Sequence, residues 1–260
     1  MTVCGNLLAG KRALVVGVAN DRSIAWAIAK ELHAAGAKLA FTYLNEALEK
    51  RVRPLAESLD AEAILPCDVS NDAEIDKTFS ELGKIWGSLD ILIHAVAFAN
   101  KDELEGRFLD TSREGFRLAL DVSAYSLVAL TQKAYPLLKP VQGNVITLTY
   151  YGAVKTIPHY NVMGVAKAAL ESAVRYLATD LGQDNIRVNA ISAGPIKTLA
   201  GSGIKDFRQM LDECEKRNPM HRNVTQEEVA KAALFLASPM ATAVTGEILY
   251  VDNGYNVTGM

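Results

Sequence analysis

Short apolar runs alternate along the chain with longer segments in which apolar and polar residues recur at helical spacing. The apolar runs are rich in β-branched residues and predict strands at 13–17, 38–43, 63–66, 89–94, 144–149, 187–191 and 248–251. The segments between them predict helices at 23–35, 46–59, 72–85, 112–138, 159–182, 204–216 and 226–237. Continuous apolar strands that alternate with helices are typical of an α/β fold, in which helices cover both faces of a parallel sheet.

The predicted elements follow one another without a linker, a low-complexity tract or an internal repeat, so residues 1–260 are predicted to form a single domain. The least regular stretch is 194–210, where Gly194-Pro195 is followed by Gly201-Ser202-Gly203. This composition predicts a mobile segment after a strand end. In an open α/β sheet, that edge is where ligands bind.

Composition and charge narrow the function classes. Half of the residues are hydrophobic and 22% are charged, which indicates a packed core rather than disorder. The net charge of −3 gives no support to nucleic-acid binding. No apolar run approaches the roughly 20 residues that a membrane-spanning helix needs, and no signal-peptide pattern opens the chain. We therefore expect no membrane association and a cytoplasmic location.

The cysteine and histidine positions argue against disulfides and metals. The cysteines lack CxxC spacing, which favours a reducing compartment; they are Cys4, Cys67 and Cys214. The histidines show no ligand spacing, so we expect structural roles for them and no metal; they are His33, His94, His159 and His221.

A nucleotide-binding signal follows the first predicted strand. Gly17 allows a tight turn, and a helix that begins near Ser23 offers free N–H groups to a pyrophosphate. The turn is not GxGxxG, because Ser23 and Ala25 occupy the later glycine positions. A plain strand–turn–helix with a serine N-cap explains it nearly as well.

Two further positions bear on the cofactor. The second strand ends at Tyr43-Leu44-Asn45-Glu46, where the adenosine ribose normally lies, and no Lys or Arg stands there. Glu46 would repel a 2′-phosphate, so the sequence favours NADH over NADPH; the alternative is that Lys50 or Arg51 folds back towards the ribose. Asp68, after the third strand, is either a hydrogen-bond acceptor for the adenine amino group or a simple turn carboxylate.

Tyr160 and Lys167 lie seven residues apart in a predicted helix, and Tyr150 precedes them by ten. Seven steps of about 100° bring the lysine back to the face of the tyrosine. A phenol and an ammonium in one cleft suit a reaction in which negative charge builds on a substrate oxygen. An ordinary solvated helix lysine is disfavoured, because Val165, Ala166 and their neighbours are apolar.

Together these residues resemble the short-chain dehydrogenase/reductase superfamily and, within it, the divergent branch of bacterial enoyl-acyl-carrier-protein reductases. The motifs are Tyr160-x6-Lys167, the second tyrosine Tyr150, the Gly17-x5-Ser23 loop, and the runs 157–164, 187–196 and 202–207. The resemblance covers nearly the whole chain and implies a Rossmann-type doubly wound sheet and NAD as cofactor. Leu44 replaces the polar residue, often glutamine, that some relatives carry near the adenosine.

The resemblance also implies roles for individual residues. Cofactor contacts would come from the strand ends, at Gly17, Ser23, Ile24, Leu44, Asp68, Val69, Val96, Lys167, Ile196, Lys197, Thr198, Leu199 and Ala200. Substrate contacts would come from Ala99, Tyr150, Tyr160 and Phe207. Tyr150, Tyr160 and Lys167 would form the catalytic group. Tyr150 is alternatively a tyrosine that packs the mouth of the sheet.

The implied reaction is reduction of the trans-2 double bond of an enoyl thioester carried on acyl carrier protein, with hydride from NADH. Residues near 194–217 would form a lid over the acyl chain. Lys197, Lys205 and Arg208 would dock the acidic carrier protein, or are simply solvated cations. The apolar helices 112–138 and 159–182 favour a homotetramer. The alternatives are a 3-oxoacyl thioester reductase of the same fold and a catalytically inactive dinucleotide-binding regulator.

Overall fold

The computed structural model describes residues 6–199, 201 and 206–259. Within them, parallel strands form one sheet in the order β3-β2-β1-β4-β5-β6-β7. The strands are β1 Arg12–Val16, β2 Lys38–Tyr43, β3 Ala63–Pro66, β4 Ile91–His94, β5 Asn144–Thr149, β6 Arg187–Ala193 and β7 Ile248–Val251. The predicted parallel α/β sheet is confirmed.

The helices match the predicted segments closely, with one interruption. They are α1 Ile24–Ala34, α2 Glu46–Glu57, α3 Asp72–Trp86, α4 Arg113–Leu120, α5 Ser126–Leu138, α6 Asn161–Gly182, α7 Phe207–Arg217 and α8 Gln226–Ala237. The predicted single helix 112–138 is wrong in its middle, because a π-helical turn at Asp121–Tyr125 separates α4 from α5. The predicted helix 204–216 begins partly outside the described residues, since Ile204 and Lys205 are not described.

Helix starts follow from short polar side chains that accept hydrogen bonds from the first turn. Asn45 accepts one from the Leu48 N–H, and Ser112 one from the Gly115 N–H. Thr225 and Glu228 form a reciprocal capping box at the start of α8. At α2, α4 and α8, these local signals place the observed helix start within one residue of the predicted one.

The core lies in two layers on either side of the sheet. Strand β1 shows the division, because Ala13 and Val15 pack with α1, α2 and α8, whereas Leu14 and Val16 pack with α3, α5 and α6. All four side chains are essentially inaccessible to solvent. A strand buried on both faces is continuously apolar, which is why the strands could be predicted from the sequence.

A polar network crosses this core at the end of β4. The buried His94 ring contacts the Thr147 hydroxyl through Nδ1 at 2.7 Å and the Ser126 hydroxyl through Nε2 at 2.8 Å. Ser126 donates its proton to the Val122 carbonyl, at 2.7 Å, so His94 Nε2 carries the hydrogen and Nδ1 accepts from Thr147. Burial, and secondarily the Lys167 charge, lower the pKa of His94 to about 3, so the ring is neutral.

We expect Thr147→Val to destabilise the protein by about 1–3 kcal/mol, because it leaves a buried imidazole nitrogen without a donor. The measurement is the free energy of unfolding from a denaturant titration at fixed protein concentration. The matched control is Thr179→Val on α6, where an exposed hydroxyl bonds to the Arg175 carbonyl and the change should stay within about 0.5 kcal/mol. Equal effects of the two substitutions would contradict the network.

Candidate functional site

The predicted site residues gather at one edge of the sheet. Because the strands are parallel, their carboxyl ends share that edge, and the strand order reverses between β1 and β4. Gly17, Leu44, Asp68, Val96 and Tyr150 follow the ends of β1, β2, β3, β4 and β5 respectively. Val69 follows Asp68, and residues 196–199 lie shortly after β6. A crevice at a reversal point of this kind is the usual position of a bound dinucleotide.

Gly17 permits a close approach between the ends of β1 and β4. Its φ of +109° is a conformation that side-chain-bearing residues rarely adopt. A Cβ atom at this position would lie 2.2 Å from the Ala95 carbonyl oxygen. The turn therefore requires glycine. At this point the floor of the crevice is formed by backbone without a side chain.

Ser23 shapes the loop that follows. The hydroxyl accepts from the N–H groups of Ala19 and Asn20, at 3.0 and 3.1 Å. Ser23 does occupy the N-cap position of α1, but its side chain makes no capping bond to the helix. The Ser23 side chain thus does not occupy the first N–H groups of α1, which an anionic ligand can bind. The glycine floor and the open helix end fit a dinucleotide pyrophosphate.

The carboxyl ends of β2 and β3, where adenosine binding is predicted, carry no basic side chain. Leu44 is about half exposed, and Asn45 is committed to capping α2. Asp68 Oδ1 accepts from both the backbone N–H and the hydroxyl of Ser70, at 2.9 and 2.7 Å. The turn interpretation of Asp68 is thus present in the structure, and its adenine contact stays a prediction.

Tyr160 is buried and lies just before α6. The predicted helix 159–182 is too long at its start, because His159 and Asn161 have positive φ angles of 60° and 36° and the helix begins at Asn161. The Tyr160 ring meets the Tyr150 ring edge-on, with centroids 5.1 Å apart. Gly152 lies beneath it, where a Cβ would come within 2.5 Å of the Tyr160 ring.

Lys167 points to the carboxyl end of β5. Its side chain is buried, and Nζ donates to the Leu148 carbonyl at 2.8 Å. Burial lowers the pKa of Lys167 to about 8, against an opposing effect of the Glu171 charge. Burial is also the main reason that the pKa values of Tyr150 and Tyr160 rise above that of free tyrosine. Both phenols therefore stay protonated at neutral pH and can donate hydrogen bonds.

Helix α7 reaches over this group. The Tyr150 hydroxyl lies 3.2 Å from the Met210 sulfur, and Phe207, at the start of α7, is partly buried. Before α7, Ile196 is buried, Lys197 and Leu199 are exposed, and Thr198 accepts from the Gly201 N–H at 3.0 Å. The predicted contacts at Ala200 and Lys205 lie outside the described residues.

Ser123 is a structural participant that the sequence analysis missed. Its buried hydroxyl accepts a hydrogen bond from the Phe98 N–H at 2.9 Å and donates one to the Phe98 carbonyl at 3.1 Å. It thereby fixes the loop that leads to Ala99, which packs against the cluster around Tyr160. Ser123 lies in the π-helical turn. A serine within an apolar stretch is the feature of the sequence that could have indicated this role.

The described residues, 6–199, 201 and 206–259, include no group of three or more His, Cys, Asp or Glu side chains arranged to hold a metal ion. Nor do they contain a helix that is both long and apolar enough to cross a membrane.

The crevice, the glycine floor and the buried Tyr160 and Lys167 side chains define the class of dinucleotide-dependent oxidoreductases.

Comparison with known proteins narrows this class to a family. A family model described as enoyl-(acyl carrier protein) reductase matches residues 17–256. The NADH-dependent enoyl-acyl-carrier-protein reductase of Nostoc sp. is 55% identical over 256 residues, which cover 97% of this chain and 99% of that protein. The chain belongs to the enoyl-acyl-carrier-protein reductase family.

Solved structures agree with this assignment. The crystal structure of the NADH enoyl-acyl-carrier-protein reductase of Aquifex aeolicus has a TM-score of 0.96 and 52% identity, with 98% of this chain and all of that chain covered. The Anaplasma phagocytophilum reductase in complex with NAD has a TM-score of 0.94 and 52% identity, with coverages of 98% and 97%. The predicted Rossmann-type fold, NAD cofactor and NADH-dependent enoyl reductase activity are confirmed.

We expect Gly17→Ala to weaken NADH binding at least about tenfold, because its Cβ would force the floor of the crevice apart. The measurement is a fluorescence titration with NADH, with thermal unfolding recorded in parallel. Gly182→Ala is the control, since a Cβ there meets open space. Unchanged NADH affinity in a folded Gly17→Ala protein would contradict the proposed floor.

Proposed function

We propose that this enzyme reduces the trans-2 double bond of enoyl thioesters on acyl carrier protein through Tyr160, Lys167 and the crevice beside them. The observation that carries the residue assignment is that Tyr150 and Tyr160 are in ring contact beside the carboxyl end of β5, where the buried Lys167 bonds to the Leu148 carbonyl. NADH, when bound, supplies hydride to the β-carbon of the enoyl group. The protein has to accommodate the negative charge that then develops on the thioester oxygen.

Tyr160 is the donor to that oxygen in this proposal. Its phenol is buried and its pKa is raised, mainly by burial, so the hydroxyl keeps its proton at neutral pH. A buried donor stabilises a developing oxyanion more strongly than a solvated one. Tyr150, whose ring contacts that of Tyr160, lines the substrate-binding site and belongs to the catalytic group in this proposal. In the last step the α-carbon takes up a proton that comes ultimately from solvent, which completes the reduction.

Lys167 supplies positive charge to the site in this proposal. Its ammonium is buried, so its field is little screened and favours the enolate form of the substrate. The bond to Leu148 fixes the ammonium at the sheet edge, where it can also meet the cofactor ribose hydroxyls.

The cofactor would lie along the strand ends. Its pyrophosphate would meet Gly17, Ser23 and Ile24, and its adenosine would meet Leu44, Asp68 and Val69. The nicotinamide half would lie against Val96 and the segment after β6, whose proposed contacts are Ile196, Lys197, Thr198, Leu199 and Ala200. The absence of a basic residue at 43–46 supports a preference for NADH over NADPH.

We expect purified enzyme to oxidise NADH at 340 nm with a trans-2-enoyl thioester and to be inactive with a 3-oxoacyl thioester. Tyr160→Phe should lower kcat/KM by about 10²–10³, because it removes one oxyanion donor. Lys167→Ala should also lower it, and NADPH should be the poorer cofactor. Turnover of the 3-oxo substrate alone would contradict the assignment, as would no turnover with NADH binding intact.

The segment 194–217 forms the substrate lid in this proposal. Met210 on α7 contacts the Tyr150 hydroxyl, and Phe207 is partly buried at the start of the same helix, which supports contact of α7 with the acyl chain. Arg208 is exposed on the same helix, and Lys197 is exposed before it. These cations, with Lys205, would receive the acidic carrier protein.

We expect Arg208→Glu to raise KM for a carrier-bound enoyl thioester about threefold to tenfold, by reversing charge at the docking surface. The KM for the corresponding coenzyme A thioester should not change. Lys231→Glu, an exposed charge reversal on α8, is the control. Equal KM changes for the carrier and coenzyme A substrates would remove the docking role.

We further propose that the enzyme is a homotetramer in the cytoplasm. Large apolar side chains are exposed on and beside α4 and α6, at Phe108, Leu109, Phe116, Tyr125, Val165 and Tyr176. Cys67 and Cys214 are free thiols, which suits a reducing compartment. Sedimentation equilibrium and cell fractionation test these two points, and a monomeric mass or an exported protein would refute them.

A further inference from the structure

Glu171 is a buried carboxylate that takes no part in the proposed reaction. It lies one helical turn after Lys167 on α6, and only 5% of its surface is exposed. Buried glutamates are rare unless they are paired or hydrogen-bonded. The Thr149 hydroxyl, itself buried, donates to Glu171 Oε1 at 2.8 Å.

The end of β5 therefore holds two groups of opposite charge. The Leu148 carbonyl accepts from the Lys167 ammonium, and the next residue, Thr149, donates to the Glu171 carboxylate. Residues four apart on a helix face the same side, so the two charges lie in one buried layer. Each is fastened to the strand rather than left free to move.

Several other polar or titratable groups surround this layer. His94 faces Lys167 from β4 and is neutral. Tyr160 and, from β7, Tyr250 lie within reach of the Glu171 charge, which raises the pKa of both phenols in addition to burial. Arg175, on the exposed side of α6, lowers the pKa of Glu171, although burial raises it overall. Among these neighbours, Glu171 is the buried anion closest in sequence to Lys167.

We propose that Glu171 is a positioning residue that keeps Lys167 protonated over the pH range in which the enzyme works. This inference rests on the proposed role of Lys167 in enoyl thioester reduction. A carboxylate one turn away offsets part of the penalty of burying the ammonium. Without it, the low-dielectric site would favour the neutral amine.

The direction of the pH effect follows from the lysine. Lys167 loses its cation as the pH rises through its pKa of about 8. The Glu171 charge raises that pKa, so removal of the charge lowers it. The alkaline limb of activity must then move to lower pH, while activity well below the limb changes less.

The experiment is the pH profile of kcat/KM for NADH with a trans-2-enoyl thioester, between pH 6 and pH 10. Glu171→Gln keeps the shape and an acceptor for Thr149 but removes the charge. We expect its alkaline limb to lie about one pH unit below that of the natural protein, or about a tenfold loss at the alkaline end. Asp180→Asn, the same charge change at an exposed site on α6, should leave the limb in place.

A second variant covers the case in which a buried amide prevents folding. Thr149→Val combined with Glu171→Met removes the carboxylate and its donor together, so that neither is left unpaired. The same downward shift is expected. Coincident alkaline limbs for the natural protein and a folded variant would overturn the role of Glu171. Absence of enoyl turnover by the natural protein at every pH would instead overturn the proposed function itself.

Discussion

The contact between Gly17 and the Ala95 carbonyl is the constraint on which the arrangement of the site depends. It sets how closely the ends of β1 and β4 approach at the point where the strand order reverses. From that point β2 and β3 extend to one side and β5, β6 and β7 to the other. The two halves of the crevice, where we propose that the adenosine and the nicotinamide bind, therefore have their positions fixed by one backbone contact. No side chain can be added there without separating the two halves.

Burial gives the polar groups of the central strands their chemical character. His94 is kept neutral and serves as a structural link, whereas Lys167, on α6, is held on the Leu148 carbonyl and lies one helical turn from Glu171. Burial lowers the pKa of both groups, that of His94 to about 3 and that of Lys167 to about 8. Because an amine is more basic than an imidazole to begin with, similar burial leaves the histidine neutral and the lysine largely charged at neutral pH.

The sequence was sufficient for the sheet and for most of the helices, because strands buried on both faces are continuously apolar and helix starts carry capping residues. It also singled out Tyr150, Tyr160 and Lys167, and their catalytic role stays a prediction. It failed where the backbone departs from regular geometry. A spacing argument assumes 3.6 residues per turn, so it missed the π-helical turn and placed Tyr160 inside α6. Ser123 and Glu171 were missed for a related reason, since their partners are distant in sequence.

The π-helical turn at Asp121–Tyr125 has an evolutionary consequence. Deletion of a single residue there would restore a regular α-helix with better hydrogen-bond geometry, and it would rotate α4 by about 100° relative to α5. Ser123 would then leave the Phe98 loop, and the exposed apolar face of α4 would turn with it. A more regular helix and a working site are thus alternatives at this position.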